Sequence, residues 1–312
     1  SPGHALIIDK QGNYEHKQFL EPQKKKACSF ERIYFSRGTD PDIYRERKEL
    51  GRLMVPQVLK SINFDLKNTV FSYIPNTAEI SFLGMMSGVE DYLISKRKEI
   101  IIDHKPSADS LEDLLTFKPR IEKLVLKDAK LRTFIADASH RDELVAHVYD
   151  TTFEVIQKDR DSLVIIDDSI VRGTTLEKSI LTLLDNLNPK KIVIISSAPQ
   201  IRFPDCYGID MSKMNDFVAF RAVLALLIDE GKEYLLEDVL EKCLADQNKV
   251  NEVNYVKELY APFSYDQISQ KIGEIVKPKK MKAVLEVVFQ TVEGLHKACP
   301  DHLGDWYFTG NY

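Results

Sequence analysis

The stretch from Leu163 to Thr175 constrains the fold of this chain more than any other feature. Four consecutive apolar residues lead directly into two carboxylates, Asp167 and Asp168. This pattern is typical of a buried central strand of a parallel sheet that ends in polar groups. Open α/β sheets bind their ligands at this carboxyl edge. The stretch therefore predicts an α/β fold with a ligand site where this strand ends.

The residues after the carboxylates predict a phosphate-binding loop that continues into a helix. Ser169, Gly173, Thr174 and Thr175 are small or hydroxylated, so backbone amides can close around an anion. Apolar residues at helical spacing begin at Leu176, and a helix N-terminus favours negative charge. The loop is not a P-loop, because it lacks the Gly-x-x-x-x-Gly-Lys pattern.

The paired carboxylates, Asp167 and Asp168, suit a ligand that has both a sugar diol and phosphates. Carboxylates accept hydrogen bonds from vicinal hydroxyls, either directly or through a hard cation such as Mg²⁺. The alternative is a strand that ends in a solvated acidic turn. In either case we expect both carboxylates to face solvent and to contribute little to stability.

The composition excludes several classes of protein. The chain has 312 residues, of which 44% are hydrophobic and 29% charged, as in ordinary globular proteins. A net charge of −5 argues against a nucleic-acid partner, and no apolar run approaches the length of a membrane span. We expect no signal peptide and no membrane association. Four widely separated cysteines indicate a reducing environment, so we expect a cytoplasmic protein.

Other segments have recognisable periodicity. Residues 5–13 predict the start of a hairpin, and residues 69–75 and 191–199 predict two more buried strands. A helical pattern begins at Pro41, and its basic residues, including Arg47, are interpreted as a solvated face. Residues 94–118 are charged and polar, which predicts an exposed surface segment with a short helix at 111–117. Further helices are expected at 217–228, at 235–244, after a capping box formed by Ser264 and Gln267, and at 279–299.

The stretch from Leu163 to Thr175 resembles the 5-phosphoribosyl-1-pyrophosphate (PRPP) loop of type I phosphoribosyltransferases, in the form found in the glutamine PRPP amidotransferase family. Residues 28–37 resemble the segment with which that family passes from its glutaminase half into its transferase half. Residues 132–135 match its mobile catalytic loop, and residues 202–210 resemble the segment that borders its ribose and nucleotide site. With a further match at 306–312, the resemblance spans nearly the whole chain.

The resemblance implies a type I phosphoribosyltransferase fold, a mostly parallel sheet flanked by helices, with a helical C-terminal extension. Residues 1–40 would be a connecting segment and residues 41–230 the phosphoribosyltransferase domain, with an insertion at about 94–118. Residues 231–312 would be a helical C-terminal region. It also implies a glutaminase half upstream in the full-length protein and assembly into a homo-oligomer.

The activity implied by the resemblance is the reaction of PRPP with ammonia, normally supplied from glutamine, to give 5-phosphoribosylamine and pyrophosphate. This is the entry step of purine synthesis, and purine nucleotides would be inhibitors. Arg132, Asp167 and Asp168 would be catalytic, and Thr77, Asp167 and Asp168 would hold one Mg²⁺ per subunit. From its position alone Thr77 is a helix N-cap. The expected substrate contacts are Asn76, Thr77, Asp167, Asp168, Ser169, Ile170, Val171, Arg172, Gly173, Thr174, Thr175 and Tyr207.

One branch of the family carries a [4Fe–4S] cluster on four cysteines. Cys28 matches the first ligand, but Cys206 is one residue out of register and residues 304–307 lack the Cys-x-x-Cys pair. We therefore expect no cluster.

Two other functions stay open: a type I transferase that acts on a nucleobase, and a regulator that binds PRPP without turnover. The second is suggested by residues 129–131, which differ from the family's catalytic loop.

Overall fold

The computed structural model describes residues 3–127, 149–152, 154–205, 211–246 and 253–312, and for His104 it describes the backbone alone. The strands in these ranges are β1 His4–Ile8, β2 Tyr14–Gln18, β3 Thr69–Tyr73, β4 Arg120–Ile121, β5 Val125–Lys127, β6 Tyr149–Thr151, β7 Ser162–Asp167, β8 Lys191–Ser196 and β9 Val284–Phe289. The α-helices are α1 Pro41–Leu53, α2 Val55–Ser61, α3 Glu79–His104, α4 Ala108–Thr116, α5 Leu181–Asp185, α6 Val218–Asp229, α7 Tyr234–Ala245, α8 Lys257–Tyr260, α9 Tyr265–Val276, α10 Val292–Ala298 and α11 Trp306–Thr309. Turns of π-helix cover Glu31–Phe35 and Leu176–Ile180, and a 3₁₀ turn covers Met214–Asp216.

A five-stranded parallel sheet lies at the centre of the molecule, with its strands in the order β4, β3, β7, β8, β9. Because side chains alternate along a strand, Leu163 and Ile165 pack on one face of β7 and Val164 and Ile166 on the other. All four side chains are fully buried, and each such burial contributes roughly 1.5–3 kcal/mol. The predicted α/β fold with a mostly parallel sheet flanked by helices is confirmed.

Helices cover both faces of this sheet. The turn Leu176–Ile180 with α5, α6 and α9 packs on the face of Leu163, and α2 and α3 pack on the face of Val164. A third cluster joins the segment around Phe30 to the C-terminal residues from Trp306 to Phe308. None of the helices in the described ranges is both long enough and apolar enough to cross a membrane.

The N-terminal hairpin and most of the expected helices are confirmed. β1 and β2 pair antiparallel in a separate two-stranded sheet, and the Asp9 carboxylate accepts hydrogen bonds from the backbone of Gln11 and Asn13 in the turn. Helices α6 and α7 lie where the sequence predicts them. α9 begins at the capping box, in which Ser264 and Gln267 each bond the backbone of the other, at 3.2 and 2.8 Å.

The expected helix over residues 279–299 is wrong. The structure has strand β9 at Val284–Phe289, paired parallel with β8, followed by α10 at Val292–Ala298. A short apolar run does not distinguish a strand from a helix, and here the open edge of β8 and three valines decide for a strand. Residues 284–289 therefore belong to the central sheet, while the proposed domain boundaries stay a prediction.

The polar segment at 94–118 begins inside a helix. α3 continues to His104, and the predicted short helix is α4, Ala108–Thr116. Arg97 of α3 donates hydrogen bonds to the carbonyls of Leu114 and Phe117, so α4 folds back onto α3. That these residues are an insertion stays a prediction.

Arg47 is not on a solvated face, as we expected, but is 4% exposed. Its guanidinium donates hydrogen bonds to the carbonyls of Arg32, Tyr34 and Ser36, at 2.9, 3.3 and 2.7 Å. These carbonyls lie along and just after the π-helical turn Glu31–Phe35, where helical turns leave acceptors unsatisfied. Arg47 therefore fixes the connecting segment to α1.

Two glycines bring α1 and α3 into backbone contact. A Cβ added at Gly51 would lie 1.8 Å from the carbonyl oxygen of Ser81, and one added at Gly84 would lie 1.8 Å from that of Lys48. Such distances are far below van der Waals contact, so neither helix has room for a side chain at this crossing.

We expect Gly84→Ala to lower the free energy of unfolding by about 2 kcal/mol or more, because overpacking forces the two helices apart. Gly273→Ala in α9 is the matched control, since its added Cβ would meet only Val287 at 3.5 Å. There the better helix propensity of alanine should leave stability unchanged or raise it by up to about 1 kcal/mol. Urea unfolding of both variants measures this, and equal stabilities would contradict the packing argument.

Candidate active site

The carboxyl edge of the sheet brings three loops together. Backbone hydrogen bonds continue past the strand ends: Ile74 N–H donates to Ile166 at 2.9 Å, and Ser197 N–H donates to Asp167 at 2.9 Å. The turn after β3 and the turn after β8 are thereby fixed on either side of the end of β7. Thr77 lies in the first of these turns, after a cis peptide bond between Pro75 and Asn76.

Asp168 lies at the centre of a network of hydroxyl groups. Its carboxylate accepts hydrogen bonds from the side chains of Ser169, at 3.1 Å, and of Thr77. Its backbone carbonyl accepts from the Ser197 hydroxyl at 3.2 Å, and its N–H donates to the Asp167 carboxylate at 2.9 Å. The structure thus brings Thr77, Asp167 and Asp168 together as predicted. Thr77 is not a helix N-cap, because α3 is capped at Ala78 without a side-chain bond.

The two carboxylates do not face solvent as we expected, because both are half-buried. Burial and the neighbouring charge of Asp168 raise the pKa of Asp167 well above its usual range. Burial also raises the pKa of Asp168, although hydrogen bonds from Ser169 and Thr77 and the charge of Arg47 lower it in part. Burial and mutual repulsion therefore disfavour the state in which both carboxyl groups are charged.

These residues fit a magnesium ion that is shared with a substrate. The donors are two carboxylates and a hydroxyl, all hard oxygen ligands of the kind that Mg²⁺ prefers. Within the part of the chain that the structure describes, no group of three or more His, Cys, Asp or Glu side chains could hold a metal alone. Mg²⁺ commonly binds through one or two carboxylates and completes its coordination with substrate phosphates and water, and an added cation relieves the repulsion between Asp167 and Asp168.

The predicted phosphate loop begins directly after Asp168. Ile170 is buried in the core, so only its backbone can reach a ligand, and the Arg172 side chain is exposed and lies 3.2 Å from Asp216. Gly173 has a φ of +73°, and a Cβ at this position would lie 2.6 Å from the Val276 side chain in α9. Glycine is therefore required here by both the backbone conformation and the packing.

The other predicted substrate contacts differ in how deeply they are buried. Val171 and Thr174 are half-buried, while Asn76 and Thr175 are exposed near the same edge. Arg132 and Tyr207 lie outside the described residues, so their roles stay predictions.

Sequence reasoning missed two residues of this edge. Ser197 follows β8 directly, so its place after a predicted parallel strand could have indicated it. Arg47 contributes positive charge near Asp168, but it lies on a helix far earlier in the chain and no sequence signal indicates this position.

The raised pKa values predict how stability depends on pH. A carboxyl group whose pKa is higher in the folded state stabilises the fold below its unfolded pKa, about 4, and this contribution is lost as the pH rises through the folded pKa. Asp167→Asn should therefore become increasingly more stable than the wild type as the pH rises above about 4, in the absence of divalent metal. Urea unfolding across this range measures the difference. Asp113→Asn on exposed α4 is the control for loss of a carboxylate. A constant difference between Asp167→Asn and the wild type would contradict the argument.

The curated proteins that are similar to this chain share one name. No family model matches the chain. It is 27% identical over 297 residues to the amidophosphoribosyltransferase of Lachancea kluyveri, an alignment that covers 90% of this chain and 52% of that protein. It is 26% identical over 226 residues to the Escherichia coli amidophosphoribosyltransferase, covering 70% of this chain and 38% of that protein. The chain thus spans about half, or less, of the length of these curated relatives.

A solved structure agrees with these sequence matches. The glutamine PRPP amidotransferase from B. subtilis, complexed with ADP and GMP, superposes with a TM-score of 0.56 and 22% sequence identity. The superposition covers 100% of this chain and 52% of that one. The predicted architecture of the sheet is therefore confirmed: the chain has the type I phosphoribosyltransferase fold and is similar in sequence to amidophosphoribosyltransferases.

Proposed function

We propose that this chain transfers the phosphoribosyl group of PRPP to ammonia, giving 5-phosphoribosylamine and pyrophosphate, the first step of purine biosynthesis. The observation that carries the proposal is the half-buried pair Asp167 and Asp168, which lies beside the Thr77 hydroxyl and leads into a loop that needs glycine at position 173. The name shared by the relatives supports the reaction.

Different residues of this edge would bind different parts of the substrate. The carboxylates of Asp167 and Asp168 accept hydrogen bonds from the ribose hydroxyls, and the backbone from Ser169 to Thr175 holds the 5-phosphate. Thr77 keeps the Asp168 carboxylate oriented. Mg²⁺, when bound, supplies positive charge to the carboxylates and the pyrophosphate. Such fixed contacts orient C1 of the ribose for attack by ammonia.

As the bond between C1 and the pyrophosphate oxygen breaks, positive charge grows on the ribose. The paired carboxylates stabilise this charge because they are already oriented and only half solvated. Arg132 would act on the opposite charge, which grows on the departing pyrophosphate, and Tyr207 would contact the ribose. Ammonia then forms the new bond to C1 and loses a proton to give the amine.

The wider setting of the reaction is part of the same proposal. In the full-length protein a glutaminase half would supply ammonia from glutamine, within a cytoplasmic homo-oligomer. Inhibition by purine nucleotides is supported by the B. subtilis relative, which is complexed with ADP and GMP.

We also propose that no iron–sulfur cluster is present. The backbone of Gly304 pairs with the segment at Cys28, so the region in which the family has its Cys-x-x-Cys pair lies beside the matching cysteine. That region carries Gly304, Asp305, Trp306 and Tyr307 in this chain. Thiolates are thus missing from two of the four ligand positions.

Release of pyrophosphate from PRPP in the presence of Mg²⁺ and an ammonium salt tests the proposal. Turnover by the wild type should rise with pH as free ammonia becomes available.

The double variant Asp167→Asn, Asp168→Asn should lose PRPP binding but should still fold. The control, Asp109→Asn with Asp113→Asn, makes the same charge change on exposed α4 and should behave as the wild type. Turnover that requires a nucleobase would indicate the second transferase function, and PRPP binding without turnover would indicate a regulator.

We expect Arg132→Ala to lower kcat about a hundredfold or more while PRPP affinity stays near that of the wild type. The ground-state substrate is already held by the loop and the carboxylates, so this arginine acts on charge that develops only in the transition state. Arg141→Ala, in the same stretch of chain, is the matched control for loss of one positive charge. Steady-state kinetics beside PRPP titration decides the matter, and a loss confined to affinity would remove Arg132 from the catalytic residues.

A further inference from the structure

Three consecutive carbonyl groups of the phosphate loop accept hydrogen bonds from other parts of the protein. The Val171 carbonyl accepts from the Val218 N–H at 2.9 Å, and the Gly173 carbonyl accepts from the Glu177 N–H at 3.0 Å. Between them, the Arg172 carbonyl accepts from the Arg221 guanidinium at 2.5 Å. Val218 and Arg221 both belong to the first turn of α6, so this helix packs behind the loop.

The fixed carbonyls determine where the amide groups of the loop point. In a trans peptide the carbonyl and the following N–H point in opposite directions. The N–H groups of Arg172, Gly173 and Thr174 therefore point away from the donors that hold the preceding carbonyls. Successive backbone N–H groups in a turn of this kind can bind an anion.

Arg221 differs from the other two donors, because its hydrogen bond comes from a side chain and depends on the residue type. The side chain is half-buried, and its Nε–H is buried without a hydrogen-bond partner in the described part of the protein. A buried donor without a partner lowers stability. The contribution of Arg221 to the fold is thus reduced, whereas its effect on the loop is direct.

We propose that Arg221 is a positioning residue, which holds the Arg172 peptide so that the loop amides face the 5-phosphate of the substrate. The inference deepens the proposed function and rests on it, because it assigns the loop to a sugar phosphate. The ion pair between Arg172 and Asp216 supports it, since Asp216 lies in the 3₁₀ turn just before α6. The loop is thus attached to this unit through both its backbone and a side chain.

Titrations with three probes test the role of Arg221. Ribose 5-phosphate and PRPP carry the 5-phosphate, and pyrophosphate does not. In Arg221→Met the affinity for the first two should fall about tenfold, the effect of losing about one hydrogen bond, and the affinity for pyrophosphate should not change. Arg221→Lys can still donate to the Arg172 carbonyl and should recover part of the loss. The melting temperature of Arg221→Met should stay at or above that of the wild type, because the unpartnered donor is removed.

Arg97→Met is the matched control, since Arg97 is also half-buried and also donates to backbone carbonyls, far from the loop. It should leave all three affinities unchanged. Wild-type affinity for ribose 5-phosphate in Arg221→Met would overturn the inference alone, as would an equal loss for pyrophosphate. If the wild-type protein bound neither sugar phosphate, the proposed function would fail and the inference with it.

Discussion

The position of β7 between β3 and β8 is the constraint on which the rest of the site depends. Its backbone is bonded on both sides, and these bonds continue past the strand ends to Ile74 and Ser197. The backbone is therefore fixed where the chain leaves the sheet at Asp167, and the two carboxylates begin from neighbouring fixed positions. The fixed backbone at the end of β7 places the two carboxylates next to each other. It also determines the hydroxyl contacts around Asp168 and the point at which the phosphate loop begins.

Much of this arrangement could be predicted from the sequence, because a buried parallel strand has a continuous apolar pattern and its polar end marks the ligand edge. β9 could not, since five apolar residues in a six-residue segment can also lie in a helix, and only the open edge of β8 decides between the two. Arg47 could not either, because periodicity identifies the face of α1 on which it lies but not the turn that packs there. The half-burial of Asp167 also depends on loops distant in sequence.

Hydrogen bonding and charge have different roles at this edge. The loop is shaped by donors that lie behind it, in α6 and the turn after Gly173, and these hold carbonyls rather than the ligand. At the carboxylates, burial and the closeness of the two groups instead raise the pKa of Asp167. Hydrogen bonds thus shape the loop, whereas burial and repulsion dominate at the two carboxylates.

The close approach of α1 and α3 at Gly51 and Gly84 affects the surroundings of Asp168. α1 carries Arg47, and Thr77 lies in the turn that leads into α3, so two groups that act on Asp168 are connected to helices whose backbones touch. Neither helix can slide along the other without a backbone clash. The absence of side chains at Gly51 and Gly84 thus lets α1 lie close to α3, and the position of α1 places the charge of Arg47 near Asp168.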